Sequence, residues 1–116
     1  MSLTLTLGSG AYDRTIPLFD GTVRPDGIDL HPVALTPGDL FRRQARDAEF
    51  DVAEFSLSTY AMLLGQGDAR FVGIPVFPSR MFRHRSIFVN TRAGITRPED
   101  LRGRRVGAAE VQQTAG

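Results

Sequence analysis

Cysteine, lysine and tryptophan are all missing from the 116 residues. Without cysteine there is no disulfide, no thiolate nucleophile and no cysteine-held metal. Without lysine there is no Schiff-base amine, and the fixed side-chain cations are all guanidinium groups, planar forks suited to carboxylate or phosphate. The histidines are only two, His31 and His84, and no H-x-x-x-H or EF-hand spacing is present. This stretch is therefore expected to hold no metal, and nothing in it asks for a cofactor. No long apolar run offers a membrane span. The N-terminus, MSLTLTLGSG, lacks the basic and long apolar regions of a signal peptide. A cytoplasmic location is the default expectation. Gly8-Ser9-Gly10 is too short for a phosphate loop, since no Gly-Lys-Ser/Thr follows. No G-x-S-x-G is present either, which sets aside a serine hydrolase.

The chain is 41% hydrophobic and 23% charged, the balance of an ordinary globular domain of modest size. Its formal net charge of +1 gives no argument for nucleic acid. The distribution is less even. Residues 1–79 carry 6 arginines and 10 acids, whereas residues 80–105 carry 8 arginines and 2 acids.

Leu3, Leu5 and Leu7 alternate with Thr4 and Thr6, the period of a strand. Tyr12-Asp13-Arg14-Thr15 follows at its carboxyl end, and a short helical turn is expected over 16–19. Pro25-Asp26-Gly27 is a turn signal, after which 28–35 reads as a strand. Pro32 cannot donate to a ladder, so that strand belongs at a sheet edge or carries a bulge. Thr36-Pro37-Gly38-Asp39 starts a helix, with Leu40, Phe41, Ala45 and Ala48 on its inner face and Arg42, Arg43, Arg46 and Asp47 outside. Residues 50–55 form a short strand that passes into Ser56-Leu57-Ser58-Thr59, a second helix start, closed by Gly65 and Gly67. Strands are expected over 71–76 and 87–89. Thr96-Arg97-Pro98-Glu99 reads as a capping box, and a last strand should begin at Arg105. This order points to an α/β sheet covered by helices. In such sheets ligands sit at the carboxyl ends of strands, beside helix N-termini. Three loops qualify: 8–15, 56–59 and 77–85.

The third loop lies in FVGIPVFPSRMFRHRSIFVN, residues 71–90, where Arg80, Arg83, His84 and Arg85 fall within six positions. Leaving such a cluster unpaired at the edge of a core is costly. One reading pairs it internally, with Asp13, Asp51 or Glu54. The other makes it a clamp for a foreign carboxylate. On an extended backbone Arg83 and Arg85 share a side and His84 takes the other, so all four converge only where the backbone turns. His84 is a candidate hydrogen-bond donor or proton carrier, and His31, beside Pro32, reads as a surface residue. One of Ser56 and Ser58 is expected to cap a helix, and a helix N-terminus with hydroxyls also binds a carboxylate well.

AYDRTIPLFDG, FDVAEFSLSTY, IPVFPSRMFRHRSIFVN and PEDLRGRRVGAAE, in this order, resemble the 4,5-dihydroxyphthalate decarboxylase family. FPSRMFRH is the most specific of these segments. The resemblance implies an α/β fold like that of type 2 periplasmic binding proteins, with two lobes around a ligand cleft. Residues 1–92 would be most of the first lobe. Residues 93–116 would be the hinge and the first strand of a second lobe that breaks off here. The chain then reads as an N-terminal piece of a longer protein, inactive alone. The resemblance implies a non-oxidative decarboxylase of a dihydroxylated aromatic dicarboxylate, with no cofactor. His84 or Asp13 would be the acid, and Tyr12, Ser56, Ser58, Thr59, Arg80, Arg83 and Arg85 would line the first-lobe wall. Gln113 and Thr114 would approach from the second lobe. The partner expected is a small anionic aromatic or carboxylate ligand, with no nucleic acid, and a homo-oligomer is left open. Two alternatives stand beside this one: a substrate-binding protein for a small carboxylate, serving a transporter or sensor without catalysis, and a related cytoplasmic enzyme acting on another cyclic carboxylate.

Overall fold

The computed structural model describes residues 2–108. The leucine–threonine alternation becomes β1 (Leu3–Ser9), the centre of a three-stranded sheet in the order β2-β1-β3. Both neighbours, β2 (Ile28–Ala34) and β3 (Val52–Ala53), run parallel to it. Pairing with β2 extends from Leu3 opposite Ile28 to Ser9 opposite Ala34, and with β3 it joins Leu7 to Val52 and Gly8 to Ala53. Pro32 lies on the edge strand, where its missing N–H is tolerated. All three strands therefore end on one side of the sheet. That side carries the loop after Ser9, the start of α2 (Pro37–Asp47) and the start of α3 (Leu57–Gly65).

Close packing fixes α2 on the sheet. Leu40 is fully buried above Gly8, and a Cβ at Gly8 would lie 2.6 Å from Leu40 Cδ1 and 2.8 Å from Phe50 Cδ2. Only glycine lets the helix approach this closely. The Thr36 hydroxyl caps α2 by accepting the Asp39 N–H, with Pro37 in the first turn. Of the positions expected to face inward, Phe41 and Ala45 are half-buried, but Ala48 is exposed. Ala48 adopts the left-handed conformation (φ 48°) and closes the helix. Gln44 takes the inner place instead. Its amide donates to the Phe50 carbonyl at 3.1 Å and accepts the Phe50 N–H at 3.0 Å. A buried polar side chain is stable when it satisfies backbone groups in this way. A short α1 (Ile16–Phe19) forms where a helical turn was expected.

Beyond α3 the chain departs from its sequence pattern. No strand forms over 71–76, 87–89 or 105–108. Apolar, β-branched residues favour a strand only where a partner strand completes the hydrogen-bond ladder, and among the described residues these segments have none. Ile74, Val76, Phe82, Ile87 and Phe88 consequently remain exposed. Residues 71–73 are still tied to the core. Phe71 stacks at 5.4 Å on Phe55, which meets Phe41 edge-on at 6.1 Å, and the Gly73 N–H donates to Tyr60 Oη at 3.0 Å. The cap expected at 96–99 is displaced by one residue. Asp100, not Glu99, reaches back to the N–H groups of Thr96 and Arg97, at 2.9 and 3.2 Å, and starts a single 3-10 turn (Pro98–Leu101).

Asp51 pins β3 to β1. Its carboxylate accepts the Thr6 N–H at 2.9 Å and the Thr6 hydroxyl at 2.8 Å, and its own N–H donates back to that hydroxyl at 3.0 Å. The backbone bond from Thr6, then its hydroxyl, hold the Asp51 pKa below the ordinary 3.8. A depressed folded-state pKa contributes stability above the unfolded value, and that stability is lost as pH falls through the folded value. Asp51→Asn should therefore be less stable than the parent in urea near neutral pH, with the gap closing at pH values below 3.8. A gap independent of pH would remove charge from the account of this contact.

Candidate functional site

The turn after β1 is built around Thr15. Its buried hydroxyl donates to the Gly10 carbonyl at 2.7 Å and accepts the Tyr12 N–H at 2.8 Å. The loop folds back, so that the Tyr12 ring lies against Gly10, where a Cβ would meet ring atoms at 2.5 Å. Tyr12 Oη thereby reaches Glu54, the residue just after β3, and donates to its Oε1 at 3.1 Å. The Gly10 N–H donates to the other carboxylate oxygen at 3.3 Å. Glu54 is only 9% exposed, and no arginine pairs with it among the described residues. Its burial is offset by these two donors. The Tyr12 pKa is raised above 10.0, first by burial, then by the Glu54 charge and the hydrogen bond between them; a hydrogen bond with Ser79 and the Arg14 charge act the other way.

Arg14 joins this loop to the arginine segment. Its guanidinium lies 4.4 Å over the Tyr12 ring, and its Nε donates to the Pro78 carbonyl. Two of the three expected loops, 8–15 and 77–85, thus meet at Tyr12 and Arg14. The third adjoins them through Glu54, two residues before Ser56. The Ser56 hydroxyl caps α3 by accepting the Thr59 N–H at 3.4 Å and lies 3.0 Å from the Ser58 hydroxyl. The helix cap expected at 56–59 therefore forms.

The remaining candidates fall less closely together. Asp13 is exposed and ion-paired with Arg14 at 3.0 Å. The chain turns at His84 in a single 3-10 turn (His84–Ser86), not an extended strand. With three residues per turn, Arg83, His84 and Arg85 project in different directions, so this backbone alone does not converge them. Arg80 packs over Phe77 at 6.0 Å, the His84 imidazole faces Phe82 at 6.1 Å, and Arg85 contacts the Met81 sulfur at 4.0 Å. All four are exposed. The internal pairing considered for them does not occur. Asp13 goes to Arg14, Asp51 to Thr6 and Glu54 to Tyr12, and no described carboxylate ion-pairs with Arg80, Arg83 or Arg85. Thr114 and Gln113 lie outside the described residues. Of two surface concavities, one along β2 and one along α2, the second is lined by Thr59, and neither takes in Tyr12 or the arginine segment. Among the described residues no group of three metal-ligating side chains occurs, and no helix is long and apolar enough to cross a membrane.

Glu54 and Arg14 were not singled out in the sequence as site residues. Only the placement of Glu54 directly after a short strand, at the sheet's carboxyl edge, could have flagged it.

No family model matches the chain. Over 113 residues, 97% of its length, it is 43% identical to a 4,5-dihydroxyphthalate decarboxylase of Comamonas testosteroni and 42% identical to one of Pseudomonas putida. Over nearly its whole length the chain is similar to a part of each of these two decarboxylases. It spans 34% and 44% of the length of those two decarboxylases. A match over 97% of the chain takes in Tyr12, Glu54 and the arginine segment together.

Replacing Glu54 by glutamine should lower the Tyr12 titration midpoint, read as tyrosinate absorbance in a Tyr60→Phe background. The charge contribution disappears while burial persists, so the midpoint falls without reaching that of free tyrosine. An unchanged titration would mean that the carboxylate does not act on the phenol.

Proposed function

We propose that the protein carrying this chain is a non-oxidative decarboxylase of a dihydroxylated aromatic dicarboxylate such as 4,5-dihydroxyphthalate. One observation carries this reading: identities of 43% and 42% over 97% of the chain to two proteins of that name. The arginine segment supports it, because its guanidinium groups are not neutralised by any described carboxylate of the chain. In the fold proposed, like that of type 2 periplasmic binding proteins, residues 1–92 form the first lobe and 93–116 the hinge and start of the second. The substrate sits between the lobes, and the enzyme is cytoplasmic.

In 4,5-dihydroxyphthalate each ring carboxylate is para to a hydroxyl. Arg80, Arg83 or Arg85 holds the carboxylate that stays, and the N-terminus of α3, at Ser56, Ser58 and Thr59, is a second carboxylate-binding element. A general acid, His84 or Asp13, delivers a proton to the ring carbon bearing the carboxylate that leaves. The para hydroxyl gives up its proton and becomes a ketone-like tautomer. The carbon–carbon bond then breaks, its electron pair returns to the ring, and carbon dioxide departs. The phenolate left behind regains a proton. The ring itself is the electron sink. Phe77 and Phe82 would keep water from the departing carboxylate. His84 is the better placed acid, since Asp13 is ion-paired with Arg14.

In the full-length protein, His84→Ala should lower kcat for carbon dioxide release by about 10²-fold, the usual contribution of a general acid. Arg80→Ala should mainly raise KM. Undiminished turnover in both variants removes these residues from the mechanism, and recovery of the substrate unchanged from the parent protein favours a binding protein without catalysis.

A further inference from the structure

Tyr12 has one proton to give, and Glu54 takes it. The carboxylate oxygen accepts Tyr12 Oη at 3.1 Å, while the second oxygen is occupied by the Gly10 N–H at 3.3 Å. The ring has little freedom to turn away, lying against Gly10 with Arg14 4.4 Å above it. A phenolic oxygen whose proton is committed elsewhere offers neighbours only its lone pairs. The free side of this oxygen thus accepts and does not donate. A carboxylate, which brings no proton, is a poor partner for it; a hydroxyl is a good one.

We propose that Glu54 is a positioning residue that turns Tyr12 into an acceptor, so that Tyr12 selects a ring hydroxyl of the ligand while the arginines and the α3 N-terminus take its carboxylates. This deepens the decarboxylase reading and rests on it. The division follows from the chemistry of the wall. Arg80, Arg83 and Arg85 are donors on the segment that Arg14 ties to the Tyr12 turn, and Tyr12 supplies the acceptor. A site built to hydrogen-bond a hydroxyl discriminates strongly against an analogue that lacks it, because its own polar group is then left unpaired.

The test uses the full-length protein and two ligands, 4,5-dihydroxyphthalate as substrate and phthalate, which lacks the hydroxyls, as competitive inhibitor. Tyr12→Phe removes the acceptor and keeps the ring; KM for the dihydroxylated substrate should rise about tenfold, the scale of one lost hydrogen bond, with the phthalate Ki essentially unchanged. Glu54→Gln puts an amide N–H opposite Tyr12 and releases the phenolic proton toward the ligand. Substrate binding should weaken as before, and phthalate should bind as well as before or more tightly. A merely structural role for Glu54 would weaken both ligands together, and that result, or no change for either, overturns the proposal. Wild-type protein that neither releases carbon dioxide nor binds either ligand in calorimetry overturns the decarboxylase reading and this inference with it. Wild-type turnover with variants that do not discriminate overturns this inference alone.

Discussion

A carboxylate buried at the carboxyl end of a parallel sheet organises this chain. Removing an ionised group from water costs several kcal/mol unless each oxygen finds donors. Glu54 finds one in the Gly10 N–H and one in the Tyr12 hydroxyl, 44 and 42 residues earlier in the chain. Those bonds require the loop after β1 to fold back over the end of β3, and Gly10 permits it by leaving space for the Tyr12 ring. Arg14, carried on the same turn, is thereby brought to the Pro78 carbonyl and holds the arginine segment beside Tyr12. Three loops distant in sequence come together because one buried acid is satisfied locally.

The electrostatics divide accordingly. Acids of residues 1–79 are largely spent on neighbours: Arg42 on Asp39, Arg43 on Glu49, Arg46 on Asp47, Arg70 on Asp68. Most of these pairs are exposed and individually worth little. Their consequence is to leave Arg80, Arg83 and Arg85 without an acidic partner among the described residues. Such a surface gains most from an anion, and it lies next to a tyrosine oxygen turned into an acceptor. The relatives named as decarboxylases act on a molecule, 4,5-dihydroxyphthalate, that carries both kinds of group.

Where the sequence was legible, the signals were local. The Leu/Thr alternation of β1, the edge position of Pro32, and the caps Thr36 and Ser56 follow from period, proline chemistry and N-cap preference, and each is found in the structure. Residues 71–76 and 87–89 carry equally good strand patterns and form none, because a strand is a property of two segments and these lack a described partner. Gln44 displaced Ala48 from the inner face of α2 for a reason invisible in periodicity: it completes the backbone bonds of Phe50. At the site, the choice of loops came from topology, and Tyr12, Ser56 and the arginine segment were in view. Glu54 was not, except as a charge partner for arginine. A carboxylate whose partners are a glycine N–H and a tyrosine leaves no charge pattern to read.

The most direct measurement is a crystal structure of the full-length protein with a dihydroxylated aromatic carboxylate bound. The account predicts the ligand on this wall, with a carboxylate against Arg80, Arg83 or Arg85, a ring hydroxyl donating to Tyr12 Oη, and Tyr12 still donating to Glu54. A ligand seated away from the 8–15 and 77–85 loops, or a ligand carboxylate on Tyr12 with the bond to Glu54 broken, would contradict it.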